Sequence, residues 1–445
     1  MDIRLYDSFS NRVETFVPLR KGHVDMYVCG PTVYNYVHIG NMRPVVVFDV
    51  LRRFFERVGY SVTFVSNYTD VDDKIINKAL EEGKGEKEIA DFFIKAYADS
   101  VAKIHSRLPD VTPRVTEYMP KIIDFIGQLV QVGAAYVVDG DVYFRVASVK
   151  DYGHLSNMKI DDLLVGARIE ENSKKESPLD FTLWKSTDVG IAWESPWSRG
   201  RPGWHTECVV MVNSIFPNKM IDIHGGGFDL KFPHHDNEIA QSQALNHNTL
   251  ANYWMHNGFI NLNNEKMSKS LGNVVLAKDA IQQYGGNTIR LLLLSTHYRA
   301  PVNVTPEIIA SNEAELAKME NAYRQLAVAI QLAGEKLPEG PSATIDSFLE
   351  ALADDLNTSN ALMVLFAAIK ETNLVLRTRP LNLEKAKTLF QSLRDMFSIL
   401  GLHIDSPFLT EEDKRLYESY LAAKSAKDFA KSDEIRQQLM ARKIL

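Results

Sequence analysis

Asp25-Met-Tyr-Val-Cys29, then the turn Gly30-Pro31-Thr32 and the four residues His38-Ile-Gly-Asn41, form the stretch that decides the fold. The first five residues are apolar but for Asp25, as in a short buried strand, and Gly, Pro and Thr then break it. From about Asn41 the pattern turns helical, with Phe48, Leu51, Phe55 and Val58 on one face and Gly59 as the stop. Val62 to Ser66 reads as a second strand, and Asp72-Asp73 opens a second helix through Ala79. Strand, helix, strand, helix is the pattern of a parallel α/β sheet, whose ligand sites lie where strands end and helices begin.

Outward from this core the pattern changes twice. Val111 to Gly203 combines a helix over Glu117–Val132, a hairpin turning at Asp139-Gly-Asp141 and polar segments with little periodicity, so it reads as an insertion. The α/β signal resumes at Met220-Ile-Asp-Ile-His224, continues with a helix starting near Pro233, and leads through Tyr253–Leu262 to a lysine-rich loop. From Pro306 the segments Pro306–Gly334, Ile345–Leu376 and Leu383–Leu400 repeat apolar residues at i, i+3 and i+4, predicting a helical bundle. Lys414 to Leu445 holds eight Lys/Arg against four Asp/Glu, a basic stretch in a chain of net charge −7.

The bulk composition narrows the classes. At 445 residues the chain needs several packed units. No basic segment followed by an apolar run opens it, and runs such as Ile289–Leu294 are too short to span a bilayer, so no export signal or membrane role is expected. Two cysteines cannot build a disulfide framework, which fits a reducing cytoplasm.

Three groups of residues carry chemistry. His38-Ile-Gly-Asn41 stands at a helix start, where free N–H groups suit phosphate oxygens and Gly40 allows close approach; its bland reading is a capping histidine. Lys266-Met-Ser-Lys-Ser-Leu-Gly-Asn273 places two lysines three positions apart, which suits a polyphosphate leaving group, although two lysines on a loop are usually only solvated. Cys29, Cys208 and the pair His234 and Glu238, four apart on a helix, offer a tetrahedral zinc set. Spacing alone does not join residues so scattered.

These segments resemble the class I aminoacyl-tRNA synthetases, and the cysteinyl branch in particular. Tyr27-Val-Cys-Gly-Pro-Thr-Val-Tyr34, Asn67-Tyr-Thr-Asp-Val-Asp-Asp-Lys74, Gly203-Trp-His-Thr-Glu-Cys208, Asp222-Ile-His-Gly-Gly-Gly-Phe-Asp-Leu230 and Phe232-Pro-His-His-Asp-Asn-Glu238 carry the likeness, with the lysine loop. The resemblance implies zinc on Cys29, Cys208, His234 and Glu238, with His235 the neighbour open to confusion. It implies catalytic roles for His38, Lys266 and Lys269, and ATP bound by Gly30, Thr32, His38, Gly40, Asn41, Lys266, Ser268 and Lys269, with Mg²⁺ as counter-ion. Thr69, Trp204 and Asp229 are the candidate cysteine pocket. The implied architecture is a Rossmann-like catalytic domain in two halves (1–110 and 204–260) around an inserted subdomain (111–203). A linking region with the lysine loop (261–305), a tRNA-binding helical bundle (306–402) and an anticodon-binding region (403–445) complete it. The implied partners are tRNA(Cys), ATP and L-cysteine, acting on a cytoplasmic monomer. Two departures stand out: Asn41 replaces the histidine common in the class, and the chain ends at Lys443-Ile-Leu445, where the family commonly continues, so the anticodon region is expected to be incomplete. A related cysteine-activating ligase of amino sugars has no use for the basic C-terminal stretch. A zinc hydrolase on His234, His235 and Glu238 leaves both signatures unexplained, and a non-catalytic RNA-binding descendant leaves the retained lysines and ligands without purpose.

Overall fold

The computed structural model describes residues 1–158, 174–267 and 273–445. They form two units, Met1–Gly285 with Tyr298–Val304, and Gly286–His297 with Thr305–Leu445. The first unit opens with a hairpin, β1 (Arg4–Asp7) and β2 (Arg12–Thr15), that the sequence pattern did not announce. Then come β3 (His23–Val28), α1 (Ile39–Arg57), β4 (Ser61–Val65), α2 (Asp73–Glu82) and α3 (Glu86–Lys103). The insertion contains α4 (Met119–Gln131) and an antiparallel sheet of β5 (Ala135–Val138), β6 (Asp141–Phe144), β7 (Phe181–Ser186) and β8 (Gly200–Pro202). After it the unit continues with α5 (Glu207–Ile215), β9 (Ile221–Gly227), α6 (Asp236–Asn246), β10 (Ala251–Asn257), β11 (Ile260–Leu262), β12 (Glu265–Lys266), α7 (Ala277–Tyr284) and β13 (Val302–Val304).

The central sheet runs β10-β9-β3-β4 with every pairing parallel. β3 lies in the middle and is buried along nearly its whole length, with apolar side chains on both faces except Asp25, which is paired with Arg20. The chain leaves β3 to pair β4 on one side, while β9 enters on the other. That reversal opens a crevice beyond Val28 and Gly227, where ligands of parallel sheets bind. α1 covers the sheet with Phe48, Leu51, Phe54 and Phe55, all buried. The approach is close enough that a Cβ on Gly225 would lie 2.0 Å from the Phe48 ring.

Two sequence expectations shift. The helix expected near Pro233 begins regularly only at Asp236, because Lys231–His235 forms a wider turn with Phe232 in an extended conformation. The segment Ile345–Leu376 is two helices, since Asp355 and Leu356 adopt positive φ between them.

The second unit is helical: α8 (Gly286–Leu294), α9 (Pro306–Leu332), α10 (Asp346–Ala353), α11 (Thr358–Arg377), α12 (Leu383–Leu400), α13 (Glu411–Ser425) and α14 (Phe429–Ala441). Tyr323 of α9 stacks on Phe390 of α12 at 4.6 Å. α11 is long and apolar enough to cross a membrane by length and composition, a stretch the sequence reading did not single out. Its Ala361, Leu362, Leu365 and Ile369 are buried in the unit. α13 and α14 pair, with Arg442 reaching Asp413 and Glu412 at 2.7 and 2.8 Å.

Gly225→Ala should force α1 from the sheet and cost about 1–3 kcal/mol of stability, as overpacked cores do. Urea unfolding followed by circular dichroism checks this; an unchanged midpoint would contradict the close packing.

Candidate active site

The carboxyl edge of the sheet gathers residues from four chain segments. Cys29 is the first residue past β3. Cys208 lies in the first turn of α5, His234 and His235 in the turn before α6, and Glu238 in the first turn of α6. No side chain is tolerated at position 30, since a Cβ on Gly30 would sit 1.6 Å from the Asn67 carbonyl oxygen.

The donor atoms of Cys29, Cys208, His234 and Glu238 all lie within 4.8 Å of one another. The two sulfurs are 3.7 Å apart, and Cys208 Sγ is 3.7 Å from His234 Nε2. Cys29 Sγ is 3.8 Å from Glu238 Oε1, which lies 2.9 Å from His234 Nε2. Zinc–sulfur bonds of about 2.3 Å give a tetrahedral sulfur–sulfur edge of about 3.8 Å, so the thiols already stand at a metal's spacing. The donor chemistry also fits: two sulfurs, an imidazole and a carboxylate suit zinc.

A second, overlapping set replaces Cys208 and His234 with His224 and His235. The two oxygens of Glu238 separate the sets. Oε1 faces Cys29 and His234, whereas Oε2 lies 2.8 Å from His224 Nε2. His224 thus orients the carboxylate, and is itself fixed by stacking on Trp254 at 4.5 Å. His234 has the same kind of support, its Nδ1 standing 3.0 Å from His205 Nδ1 and leaving Nε2 toward the cluster. Trp204 stacks on the His234 ring at 4.2 Å. His235 turns its Nδ1 to His256, which continues to Ser8.

Charge in this buried place is strongly redistributed. Burial pushes the Cys29 thiol well above its ordinary range, and the neighbouring Cys208 adds to it. The hydrogen bond between the two thiols draws Cys208 down to about 7. Burial works against charge on both His234 and Glu238. Their mutual attraction outweighs it, with His224 and Cys208 assisting, raising His234 to about 10 and holding Glu238 well below the carboxylate range. His205 is kept neutral, at about 3, by burial and by the charge of His234. Glu238 is thus matched by His234, and deprotonating both thiols would leave negative charge that a divalent ion could balance.

Beside the cluster is a cavity of about 370 Å³. Gly30, Thr32, His38, Gly40 and Asn41 line one side, and Trp204 and Asp229 also reach it. His38 caps α1, its backbone N–H donating to Asn41 Oδ1 at 3.2 Å, so the helix start opens on the cavity. Thr69 is buried and stands off the cavity wall, donating its hydroxyl to Glu207 at 2.7 Å. Lys266 ends β12, but its side chain, with Ser268 and Lys269 entire, lies outside the described residues.

The chain is similar to known proteins over its whole length. A family model described as "tRNA synthetases class I (C) catalytic domain" matches residues 15–314, and a DALR domain model matches residues 347–405. A cysteine–tRNA ligase of Halalkalibacterium halodurans is 47% identical, the match covering 100% of this chain and 97% of that protein. The chain belongs to the class I cysteinyl-tRNA synthetase family. A cysteine–tRNA ligase of Lysinibacillus sphaericus is 46% identical over the same shares. Among solved structures, methionyl-tRNA synthetase of Mycobacterium tuberculosis with methionyl-adenylate matches at TM-score 0.62 and 16% identity. That match covers 85% of this chain and 89% of the other, and shows a shared fold.

The supporting histidines were missed by sequence reasoning. His205 and His224 sit inside the quoted segments, and a density of histidines within those segments was the available signal.

Cys208→Ser and His234→Ala should each lose most bound zinc on dialysis. His224→Ala should weaken zinc about 10–100-fold yet fill at excess metal, as a support of a ligand does. Metal content by atomic emission checks this. Zinc kept by Cys208→Ser and lost by His235→Ala would move the site to the other set.

Proposed function

We infer that the chain activates cysteine with ATP as cysteinyl-adenylate and then esterifies it to tRNA(Cys). The observation that carries this reading is a two-thiol cluster at the wall of a cavity that opens on a helix N-terminus. The cysteine carboxylate attacks the α-phosphate of ATP and pyrophosphate leaves. The terminal ribose hydroxyl of the tRNA then takes the acyl group and AMP leaves. Such chemistry depends on positioning and on charge stabilisation more than on covalent help.

In this reading the start of α1, with Gly40 and Asn41, directs N–H groups at the phosphates, and His38 donates to a phosphate oxygen. Gly30 and Thr32 bring backbone to the nucleotide from the opposite loop. Lys266, Ser268 and Lys269 act on the leaving pyrophosphate, whose Mg²⁺ shares that charge. Cys29, Cys208, His234 and Glu238 hold zinc, which supplies an electrophilic position that favours a thiolate over an alcohol. Trp204 and Asp229 bound the amino-acid end of the cavity, and Thr69 acts from behind it by fixing Glu207. Serine differs only in offering a hydroxyl, so matching the thiol can reject it by roughly 10⁴ to 10⁵ without an editing site. The helices from 306 to 402 and the region from 403 to 445, whose stretch Lys414–Leu445 is basic, take the tRNA, and the protein works as a monomer in the cytoplasm.

The test is cysteine-dependent ATP–pyrophosphate exchange with serine as control. Cysteine should support exchange and serine should not, and Lys269→Ala should slow it by about 10² or more at little change in cysteine binding. Exchange with serine at a similar rate would remove the reading, and an unchanged rate in Lys269→Ala would remove that residue's role.

A further inference from the structure

Outside the cavity, one surface of the first unit brings the exposed Phe92 beside the half-buried Tyr36 and a lysine stacked on it, in a way the activation chemistry does not use. The segment 37–39 is tied to the start of α7, with Ala277 N–H donating to the Val37 carbonyl at 2.9 Å and Ile39 N–H to Val275 at 3.0 Å. That tie sets Lys278 directly over Tyr36, its ammonium 3.8 Å from the ring centroid. Tyr36 meets Phe93 edge-on at 5.4 Å and Phe92 at 6.1 Å. Phe93 is core, but Phe92 keeps 54% of its surface exposed, and Lys95, one helical turn along α3, is exposed as well.

A lone exposed phenylalanine needs no explanation. Here it belongs to a group, and the group adjoins the cavity through two elements. His38, two residues beyond Tyr36, and Tyr97, from the same helix as Phe92, both line the cavity. Aromatic faces interleaved with cations are what an unstacked nucleotide requires: a ring to stack on and an ammonium for its phosphate. The acceptor in the second step is the terminal ribose of an RNA whose last nucleotides are unpaired, and they must pass close to the cavity to react.

We propose that Phe92, Tyr36 and Lys278 form a platform for an unpaired nucleotide of the tRNA 3′ end, holding the terminal ribose toward the cavity. The proposal rests on the tRNA reading above. The stacking face is Phe92, and Lys278, steadied by Tyr36, meets the adjoining phosphate. A peptide partner would not depend on the RNA terminus, which separates the two occupants.

The test compares full-length tRNA(Cys) with the same tRNA lacking its last four nucleotides, using the whole protein. Phe92→Ala and Lys278→Ala should each weaken full-length tRNA binding and slow transfer from preformed adenylate by roughly tenfold. Phe92→Trp should retain both, since it keeps a stacking face. The truncated tRNA should bind wild type and variants alike, and ATP–pyrophosphate exchange should not change. Transfer at the wild-type rate in Phe92→Ala, equal losses on the two tRNAs, or loss of exchange in the same variants would each overturn the platform. A wild-type protein that exchanges pyrophosphate but charges no tRNA would instead overturn the tRNA reading itself.

Discussion

Two thiols 3.7 Å apart, one buried and one half-buried beside a buried carboxylate and imidazole at the end of a central parallel strand, impose a charge constraint on this molecule. Burying ionised groups is costly unless each is compensated; Glu238 is matched by His234, while two thiolates would have no cation of their own. The surrounding structure is arranged accordingly. His224 takes the outer oxygen of Glu238, His205 fixes the ring of His234, and Trp204 and Trp254 stack over these histidines. A divalent ion would complete the balance, and in the proposed reading it would give the site its means of telling sulfur from oxygen.

The fold places that constraint where it is useful. β3 pairs with β4 on one side and β9 on the other, so Cys29 emerges at the reversal of strand order. Gly30 and Gly225 keep the approach free of side chains, one against Asn67 and the other against Phe48. α1 begins at the same edge and points its N-terminus into the cavity that the cluster borders. The thiol cluster and the helix start thus share one crevice, although Cys29 and Glu238 of that cluster lie 209 positions apart in the chain.

Much of this was legible in the chain. The buried strand at Asp25–Cys29 and the helix after His38 follow from apolar periodicity, and the structure places them within a few residues. The four candidate ligands were nameable only through the family's segments, because nothing local links Cys29 to Cys208 or Glu238. The remainder was illegible for physical reasons. β2 is exposed at every residue, so it has no alternation to read. The turn Lys231–His235 departs from helical period just where two histidines must point into one cluster. The supporting roles of His205, His224 and His256 exist only through contacts made by folding, and the hydroxyl of Thr69 proves engaged by Glu207, itself distant in sequence.

The central claim is that the chain's only two cysteines hold a metal in order to recognise a third. X-ray absorption at the zinc edge of the purified protein tests it most directly. The account predicts two sulfurs around zinc in the free protein, three after L-cysteine is added, and two still with L-serine. A sulfur count that does not rise with cysteine, or a free protein with fewer than two, would contradict it.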